Sequence, residues 1–319
     1  MQRIVVEAPG GPEAMRIEPF EAGPPGPGEV LIRHTAIGVN MIDTYHRAGV
    51  YPLDPPFGIG LEGAGVVEAV GEGVSHLSAG DRAVYFAATT GSYATHRLVP
   101  AMAAVRLPDA LDDETAAAAW LKAATVEFLV ERCAKVMPGQ WVLVTAAAGG
   151  VGLLLLQWLK AVGARVIGVV SAGKEEAARR AGADHVIGYE AMAAQAREIS
   201  GGGVDVVIDG VGKATFDQAL DSLKRRGLHI SFGNASGPIG PVDFSILAFK
   251  GSLFTTRPTL FDYYADASDF AAGTARVLEM LAGGRISVTI GQRYRLAEAA
   301  DCHRDLEARR TVGSTILLP

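Results

Sequence analysis

Past the first third of the chain, apolar residues come in short unbroken runs separated by longer stretches of helical period. The run WVLVT at 141–145 has the length and continuity of a buried parallel strand, and a turn of tiny residues follows at 146–152. The next stretch, 150–162, is apolar on nearly every side, as a helix beneath a sheet must be. Gly163 is placed to stop it, and a second strand is expected at 165–170. Together these pieces predict a βαβ unit. Further strands are expected at 185–187, 205–209, 229–232 and 252–255 with helices between them, which makes the fold class α/β with a doubly wound parallel sheet.

Residues 1–100 follow another rhythm, with short strands punctuated by Gly and Pro, the pattern of a β-rich module. GPPGPGE at 23–29 is a turn cluster ahead of a strand at 30–35. Residues 58–73, where glycine alternates with Val and Ala, read as a tightly curved strand pair, and further strands are expected at 83–86 and 92–99. Between them GVNMIDTYHRAGVYP (38–52) is poorly periodic and dense in polar groups. It fits a site loop or a helix start capped by Asn40 or Asp43, and the two are compatible. A helix over 112–127 bridges into the second half. Beyond Arg257-Pro258 the alternation breaks into a helix at 262–282, a strand at 287–294, a helix at 297–308 and a strand at 314–318, pieces suited to rejoining the first module.

With 319 residues the chain can form two domains and bury a large core. A net charge of −6 with no basic run argues against nucleic acid or an anionic membrane as partner. Two cysteines, Cys133 and Cys302, are too few for a disulfide framework or a structural zinc cluster, which fits a cytoplasmic setting. The start, MQRIVVEAPG, lacks the features of a secretion signal, and the apolar stretches are too short to span a membrane.

The turn at 146–152 carries the first candidate chemistry. A dinucleotide fingerprint has three glycines, and Ala147, Gly149 and Gly152 occupy those places here, so the first is missing. A turn of small residues between strand and helix still offers helix N–H groups and a positive dipole end to a pyrophosphate. At the end of the second strand, where NAD sites place an acid, stands Ser171 in SAGKEE, with no carboxylate before Glu175. A hydroxyl and Lys174 suit a 2′-phosphate through charge-assisted hydrogen bonds, which favours NADPH. An ordinary solvated lysine at a helix start is the competing explanation of Lys174.

Several stretches resemble the zinc-independent NADPH:quinone oxidoreductases, zeta-crystallin-like members of the medium-chain dehydrogenase/reductase superfamily. They are GVNMIDTYHRAGVYP (38–52), AAAGGVG (146–152), RRGLHISFGNASG (225–237), TTRPTL (255–260) and GSTILLP (313–319), in this order along essentially the whole chain. The resemblance implies a GroES-like catalytic domain built from 1–120 and 261–319, a Rossmann domain at 121–260, NADPH in the cleft, and a homodimer. It puts Asn40, Met41, Ile42, Asp43, Thr44, Tyr45 and Phe128 at the nicotinamide end and Gly149, Gly150, Val151 and Gly152 on the pyrophosphate. Ser171, Lys174 and Tyr189 would surround the 2′-phosphate, while Gly210, Phe232, Gly233, Asn234, Ala235, Arg257 and Arg309 would close over the cofactor. Glu127 stands where the family carries an aromatic residue. Zinc-dependent relatives have Cys at the place of Asn40 and Gly-His-Glu at the place of Gly60-Leu61-Glu62, so no metal is expected.

On this reading hydride passes from NADPH to a quinone, and neutral donors meet the charge that develops on the acceptor oxygen. Asn40, Tyr45 and Tyr51 are the candidates, with solvent as the final proton source. A phenol of pKa about 10 donates at neutral pH and is a poor base. Lys122 and Thr125 fit a place on the cleft, although a helix-surface lysine and a cap-like threonine explain them equally. Asp43 fits a helix cap, and His46 and His96 are expected to be ordinary polar residues. Two other readings stand beside this one: an NADPH-dependent 2-alkenal or enone reductase, and a crystallin-like NADPH-binding structural or RNA-binding protein. The acidic balance weighs against RNA.

Overall fold

The Gly- and Pro-punctuated strands of the first hundred residues pair mostly antiparallel. In the computed structural model, which describes Met1–Pro319, they belong to a unit made of Met1–Lys122 and Val288–Pro319, while Ala123–Ser287 forms a second unit. In chain order the first unit contains β1 (Gln2–Val6), β2 (Met15–Pro19), β3 (Glu29–Val39), α1 (Met41–Arg47), β4 (Phe57–Gly58), β5 (Glu62–Val70), β6 (Arg82–Phe86), β7 (His96–Pro100) and β8 (Ala104–Arg106). Helix α2 (Asp113–Glu127) follows. The long strand β3 shifts register against β5 at Leu31/Ile32 and His34/Ala36, and such bulges bend a strand. It pairs with β7 as well.

The second unit holds β9 (Trp141–Val144), α3 (Gly150–Val162), β10 (Arg165–Val169), α4 (Glu175–Arg180), β11 (His185–Ile187), α5 (Met192–Ser200), β12 (Val204–Asp209), α6 (Phe216–Ser222), β13 (Leu223–Ser231), α7 (Ser245–Phe249), β14 (Phe254–Thr256), α8 (Leu260–Tyr263) and α9 (Ala267–Ala282). Six strands pair in the order β11-β10-β9-β12-β13-β14, all parallel. The sheet is doubly wound from β9 outward, as the alternation predicts. Leu143, Ile167, Val169 and Val207 form its core with Met192, Ala196 and Leu220 from the helices, which is why these strands read as unbroken apolar runs. Gly163 ends α3 in the left-handed region (φ 87°).

The chain then returns to the first unit through β15 (Ile290–Arg295), α10 (Ala299–Glu307) and β16 (Ser314–Leu318). β16 lies between β15 and β3 and pairs antiparallel with β3, Thr315 opposite Val39. Leu317, Cys302 and Leu296 join Ile4, Val6, Ile37 and Val39 in one core, so the two ends of the chain share a hydrophobic interior.

Three expectations need correction. Residues 58–73 form one long strand, β5, not a strand pair, with Gly58 contributing to β4 of a separate three-stranded sheet. The helix expected over 262–282 is two, because Asp266 takes an extended N-cap conformation (φ −89°, ψ 144°). The return to the first unit falls at Val288 rather than 261. Side chains explain that boundary: Arg276 on α9 pairs with Glu131 at 2.9 Å, and the Tyr264 hydroxyl donates to Glu127 at 2.7 Å.

Candidate nucleotide and acceptor sites

In the second unit, strand β9 delivers Thr145 to a turn that is braced from three sides. Thr145 Oγ1 donates to buried Asp209 at 2.6 Å and accepts from the Gly210 N–H at 3.0 Å. The Ala146 N–H donates to the Tyr189 hydroxyl at 3.0 Å, and the Ala147 N–H to Val169 O at 3.1 Å. Gly149 is the extended N-cap of α3, and Gly149 and Gly150 reach the surface. The first N–H groups of a helix have no intrahelical acceptor, so this turn offers them to an anion. A Cβ at Gly152 would collide with Ala146 O and lie 2.7 Å from Ala147 Cα, so the helix meets the turn as closely as backbone permits. Ala147 takes the place of the first glycine because room is made elsewhere: a Cβ on Gly168 of β10 would lie 3.2 Å from the Ala147 methyl.

Asp209 anchors this arrangement from below. It is fully buried and also accepts from Thr215 Oγ1 at 2.8 Å and from the Val211 N–H at 2.9 Å. Burial by itself raises its carboxyl, but His229, whose Nε2 lies 3.6 Å away, and hydrogen bonds from Thr145, Val211 and Thr215 outweigh burial and hold it below its ordinary value. The Phe232–Ala235 stretch follows β13 and is tied to the same place, with Phe232 N–H donating to Asp209 O (2.9 Å) and Ala235 N–H to Gly210 O (3.3 Å). A Cβ at Gly210 would meet the Phe232 ring at 2.9 Å. Gly210 and Phe232, Gly233, Asn234 and Ala235 thus come together as expected. Arg257, exposed, donates through Nη1 to Ser231 O, Ser231 Oγ and Gly233 O at 3.0–3.1 Å, so it also props this turn.

Ser171 and Lys174 close one tight turn at the carboxyl end of β10, the Lys174 N–H donating to Ser171 O at 3.2 Å. Lys174 is the N-cap residue of α4, and the acids Glu175 and Glu176 lie inside the helix. The glycine cradle, the open N-terminus of α3 and this acid-free turn fit a phosphorylated dinucleotide. Tyr189, expected beside the 2′-phosphate, accepts from the Ala146 N–H of the pyrophosphate turn.

Past Thr125, which is buried, α2 widens into a π-turn over Phe128–Cys133, a distortion frequent at functional sites. Phe128 is buried and stacks on Tyr263 at 4.7 Å between ring centroids. Glu127, where the family carries an aromatic residue, accepts from Arg132 Nη2 (2.7 Å) and Tyr264 OH (2.7 Å). The Arg132 guanidinium lies over the Tyr264 ring at 4.5 Å and donates to Tyr263 O at 2.6 Å. An ion pair thus does the fastening an apolar contact would do.

In the first unit, residues 38–52 resolve into helix α1 with Asn40 as its extended N-cap in a capping-box arrangement: the Asn40 N–H donates to Asp43 Oδ2 at 2.8 Å. Asp43 is fully buried and accepts from Tyr93 OH at 3.0 Å. Burial, the largest influence, raises its carboxyl to about 7 against the hydrogen bonds of Asn40 and Tyr93. These inward bonds make Asp43 a helix cap. Tyr93 also meets His303 Nε2 at 3.1 Å, and Arg47 approaches His303 Nδ1 at 3.1 Å and pairs with Glu307. Because Arg47 can only donate, His303 carries its hydrogen on Nε2. Burial and Arg47 push His303 down to about 3, so it stays neutral.

Thr44 turns its hydroxyl back to Met41 O (2.7 Å), while Met41 and Ile42 are half-buried. Tyr45 and Tyr51, both half-buried, meet edge to face at 5.5 Å between centroids. Arg309 is exposed in a left-handed turn (φ 59°) after α10.

Glu62 is not among the expected site residues, and of the two explanations left open for Lys122 the helix-surface one fails. Lys122 is no helix-surface lysine: it is 4% exposed, and its Nζ lies 3.3 Å from Glu62 Oε1, on a carboxylate that is itself 0% exposed. The same oxygen accepts from Asn40 Nδ2 at 2.7 Å, and Oε2 accepts from the Leu121 N–H at 2.8 Å. One signal was present. A Cβ at Gly38 would collide with Glu62 Oε1 and Ala117 O, so this glycine makes room for the carboxylate.

Two family models match the chain: alcohol dehydrogenase GroES-like domain over residues 26–109, and zinc-binding dehydrogenase over 150–273. The chain is 45% identical to a quinone oxidoreductase of Salmonella typhimurium over 99% of each protein. It is 41% identical to a 2-haloacrylate reductase of a Burkholderia species over 99% of this chain and 98% of that one. Among solved structures it is similar to Escherichia coli quinone oxidoreductase complexed with NADPH, with a TM-score of 0.98 and 42% identity over the whole of both chains.

Proposed function

We infer that this chain, which belongs to the quinone oxidoreductase family of the medium-chain dehydrogenase/reductase superfamily, is an enzyme that uses NADPH to reduce quinones. The observation that carries the cofactor choice is the Ser171–Lys174 turn, which places a hydroxyl and an ammonium and no carboxylate at the end of β10. Gly149, Gly150, Val151 and Gly152 hold the pyrophosphate on the N-terminus of α3. Gly210, Phe232, Gly233, Asn234 and Ala235, fastened by Arg257, form a second edge of the nucleotide site.

Bound NADPH supplies a hydride at its dihydronicotinamide ring. This chain's part is to place donors where charge develops on the acceptor oxygen. Asn40 keeps one Nδ2–H beyond the one given to Glu62, and the Tyr45 and Tyr51 hydroxyls are the further candidate donors. The proton that completes the reduction comes from solvent.

The reaction proceeds without zinc on this proposal. The residues at the ligand places of zinc-dependent relatives are Asn40, Leu61 and Glu62: Leu61 is a buried hydrocarbon, and Glu62 is already matched by the Lys122 ammonium. A divalent cation would have to displace that ammonium, so the donor set does not fit a zinc ion.

The enzyme is further proposed to work as a cytoplasmic homodimer. Both cysteines are free, and no helix is long and apolar enough to cross a membrane. Strand β14 is the last in the six-stranded sheet and leaves one backbone edge open, with Phe254 60%, Phe249 87% and Phe244 72% exposed nearby in sequence. An open edge flanked by large apolar side chains suits pairing with a second copy.

Similarity to 2-haloacrylate reductase favours one second reading, reduction of a conjugated carbon–carbon double bond. Steady-state NADPH oxidation with 1,2-naphthoquinone and with a 2-alkenal tests the choice. Quinone turnover at least about tenfold faster is expected, a preference of roughly 1.4 kcal/mol in activation free energy. The reverse ratio would install the second reading, and tight NADPH binding without turnover on either would end both.

A further inference from the structure

The carboxylate of Glu62 is buried beyond solvent, yet it sits at the first residue of β5 with three donors on two oxygens: Asn40 Nδ2 (2.7 Å), Leu121 N–H (2.8 Å) and Lys122 Nζ (3.3 Å). A buried charge is costly unless paired and hydrogen-bonded, and this one is both. Its access is built into the backbone. Gly38 gives up a side chain to admit it, and α2 turns the N–H of Leu121, in its interior, toward it. Nothing in the nucleotide-binding role requires this construction.

Its effect falls on Asn40. An ionised carboxylate only accepts, so the asparagine amide must present its NH2 end to Glu62. The Asp43 N–H in the first turn of α1 goes to the Asn40 main-chain carbonyl at 3.0 Å, so Glu62 is the side-chain partner that sets the orientation of the amide. With one Nδ2–H given to Glu62, the second Nδ2–H is left for a reactant. Turned over by 180°, the amide would set its oxygen against the Glu62 carboxylate and lose that bond.

We propose that Glu62, balanced by Lys122, is a positioning residue that fixes Asn40 as a hydrogen-bond donor toward the acceptor oxygen. This rests on the reading of Asn40 as a donor in quinone reduction. The identity of residue 62, rather than the packing of residue 40, decides which end of the amide faces the reaction.

The test is Glu62→Gln, assayed for kcat and KM with 1,2-naphthoquinone, for NADPH affinity by nucleotide fluorescence, and for melting temperature. Glutamine can meet Asn40 with either end of its own amide, its oxygen toward Nδ2 or its NH2 toward a reversed Asn40, so a bond survives while the polarity of Asn40 is no longer fixed. A fall in kcat on the order of 10²-fold is expected, with NADPH affinity within about twofold. A purely structural role would lower melting temperature and spare kcat per folded molecule, and a variant with wild-type kcat overturns the proposal. Should that variant not fold, Glu62→Asp keeps the charge opposite Lys122 while drawing the carboxylate back by about 1.5 Å, and the same kcat criterion applies. Asn40→Ala is measured alongside. If it loses activity while both Glu62 variants keep theirs, Asn40 stands and the positioning role falls. If Asn40→Ala itself turns over normally, the donor reading falls and the proposal with it.

Discussion

Lys174 and Glu175 are sequence neighbours of opposite charge, and the turn that precedes α4 puts the lysine, not the acid, next to Ser171. On the proposed reading, Lys174 carries the charge that distinguishes NADPH from NADH. Lys174→Ala should weaken NADPH by about 10- to 100-fold, in line with loss of a charge-assisted bond of about 1.5–3 kcal/mol, and leave NADH within about twofold. Equal losses in parallel fluorescence titrations would remove the 2′-phosphate role. Asp43 supplies a second prediction at this scale. Its folded carboxyl is raised from 3.8 to about 7, so between those values the folded state holds a proton that the unfolded chain has released. Stability from this group is full below pH 4 and is lost as pH rises toward 7. His303 runs the other way: lowered from 6.5 to about 3, its contribution is present above pH 6.5 and lost on acidification. In Asp43→Asn the melting temperature should therefore gain on wild type as pH is raised from 4 to 7 and hold a constant offset above 8. A difference independent of pH would show that Asp43 stays ionised throughout. Of these residues the sequence named Lys174 as a candidate, because it stands in a motif. The pairing of Glu62 with Lys122 stayed hidden because the two are 60 positions apart, and its one trace, Gly38, lies beside neither of them in sequence.

At the scale of elements, α3 was legible to its ends, because an all-round apolar run begins in small residues and stops at a glycine. The π-turn over Phe128–Cys133 and the break between α8 and α9 were not, since helical period continues through both and the distortions are set by partners distant in sequence. Glu127, Arg132 and Tyr264 illustrate this: their network ties the π-turn to the segment after α8. The junction of β9, turn and α3 allows a direct test. Gly152→Ala forces a methyl against Ala146 O and Ala147 Cα, an overpacking that should cost about 1–3 kcal/mol and deform the pyrophosphate turn. A lowered melting temperature with NADPH affinity reduced by at least about tenfold is expected. Unaltered nucleotide binding would show that the turn yields without consequence.

At the scale of the whole molecule, the architecture was legible as two modules with the chain's ends rejoining, yet the junction was placed at 261 instead of Val288. The pattern of α9 says that it is amphipathic and not which unit it covers; only the Arg276–Glu131 pair discloses that. Association is the property to test here. If the open edge of β14 pairs copies of the chain, Phe254→Asp should yield monomers by light scattering where wild type gives dimers, with the fold unchanged by circular dichroism. A wild-type monomer at micromolar concentration would end that idea.

The place of β16 between β15 and β3 also imposes an order of events on synthesis. β3 leaves the ribosome early, but its neighbour along Ile37–Val39 is translated only after the whole nucleotide-binding unit between them. That unit can mature while the nascent polypeptide is still tethered, whereas the other must wait with an exposed strand margin and half an interior. A ribosome stalled before residue 314 should therefore display a protease-resistant Ala123–Ser287 core flanked by cleavable N-terminal sequence, and a chaperone that shields β strands would be of most use in that interval.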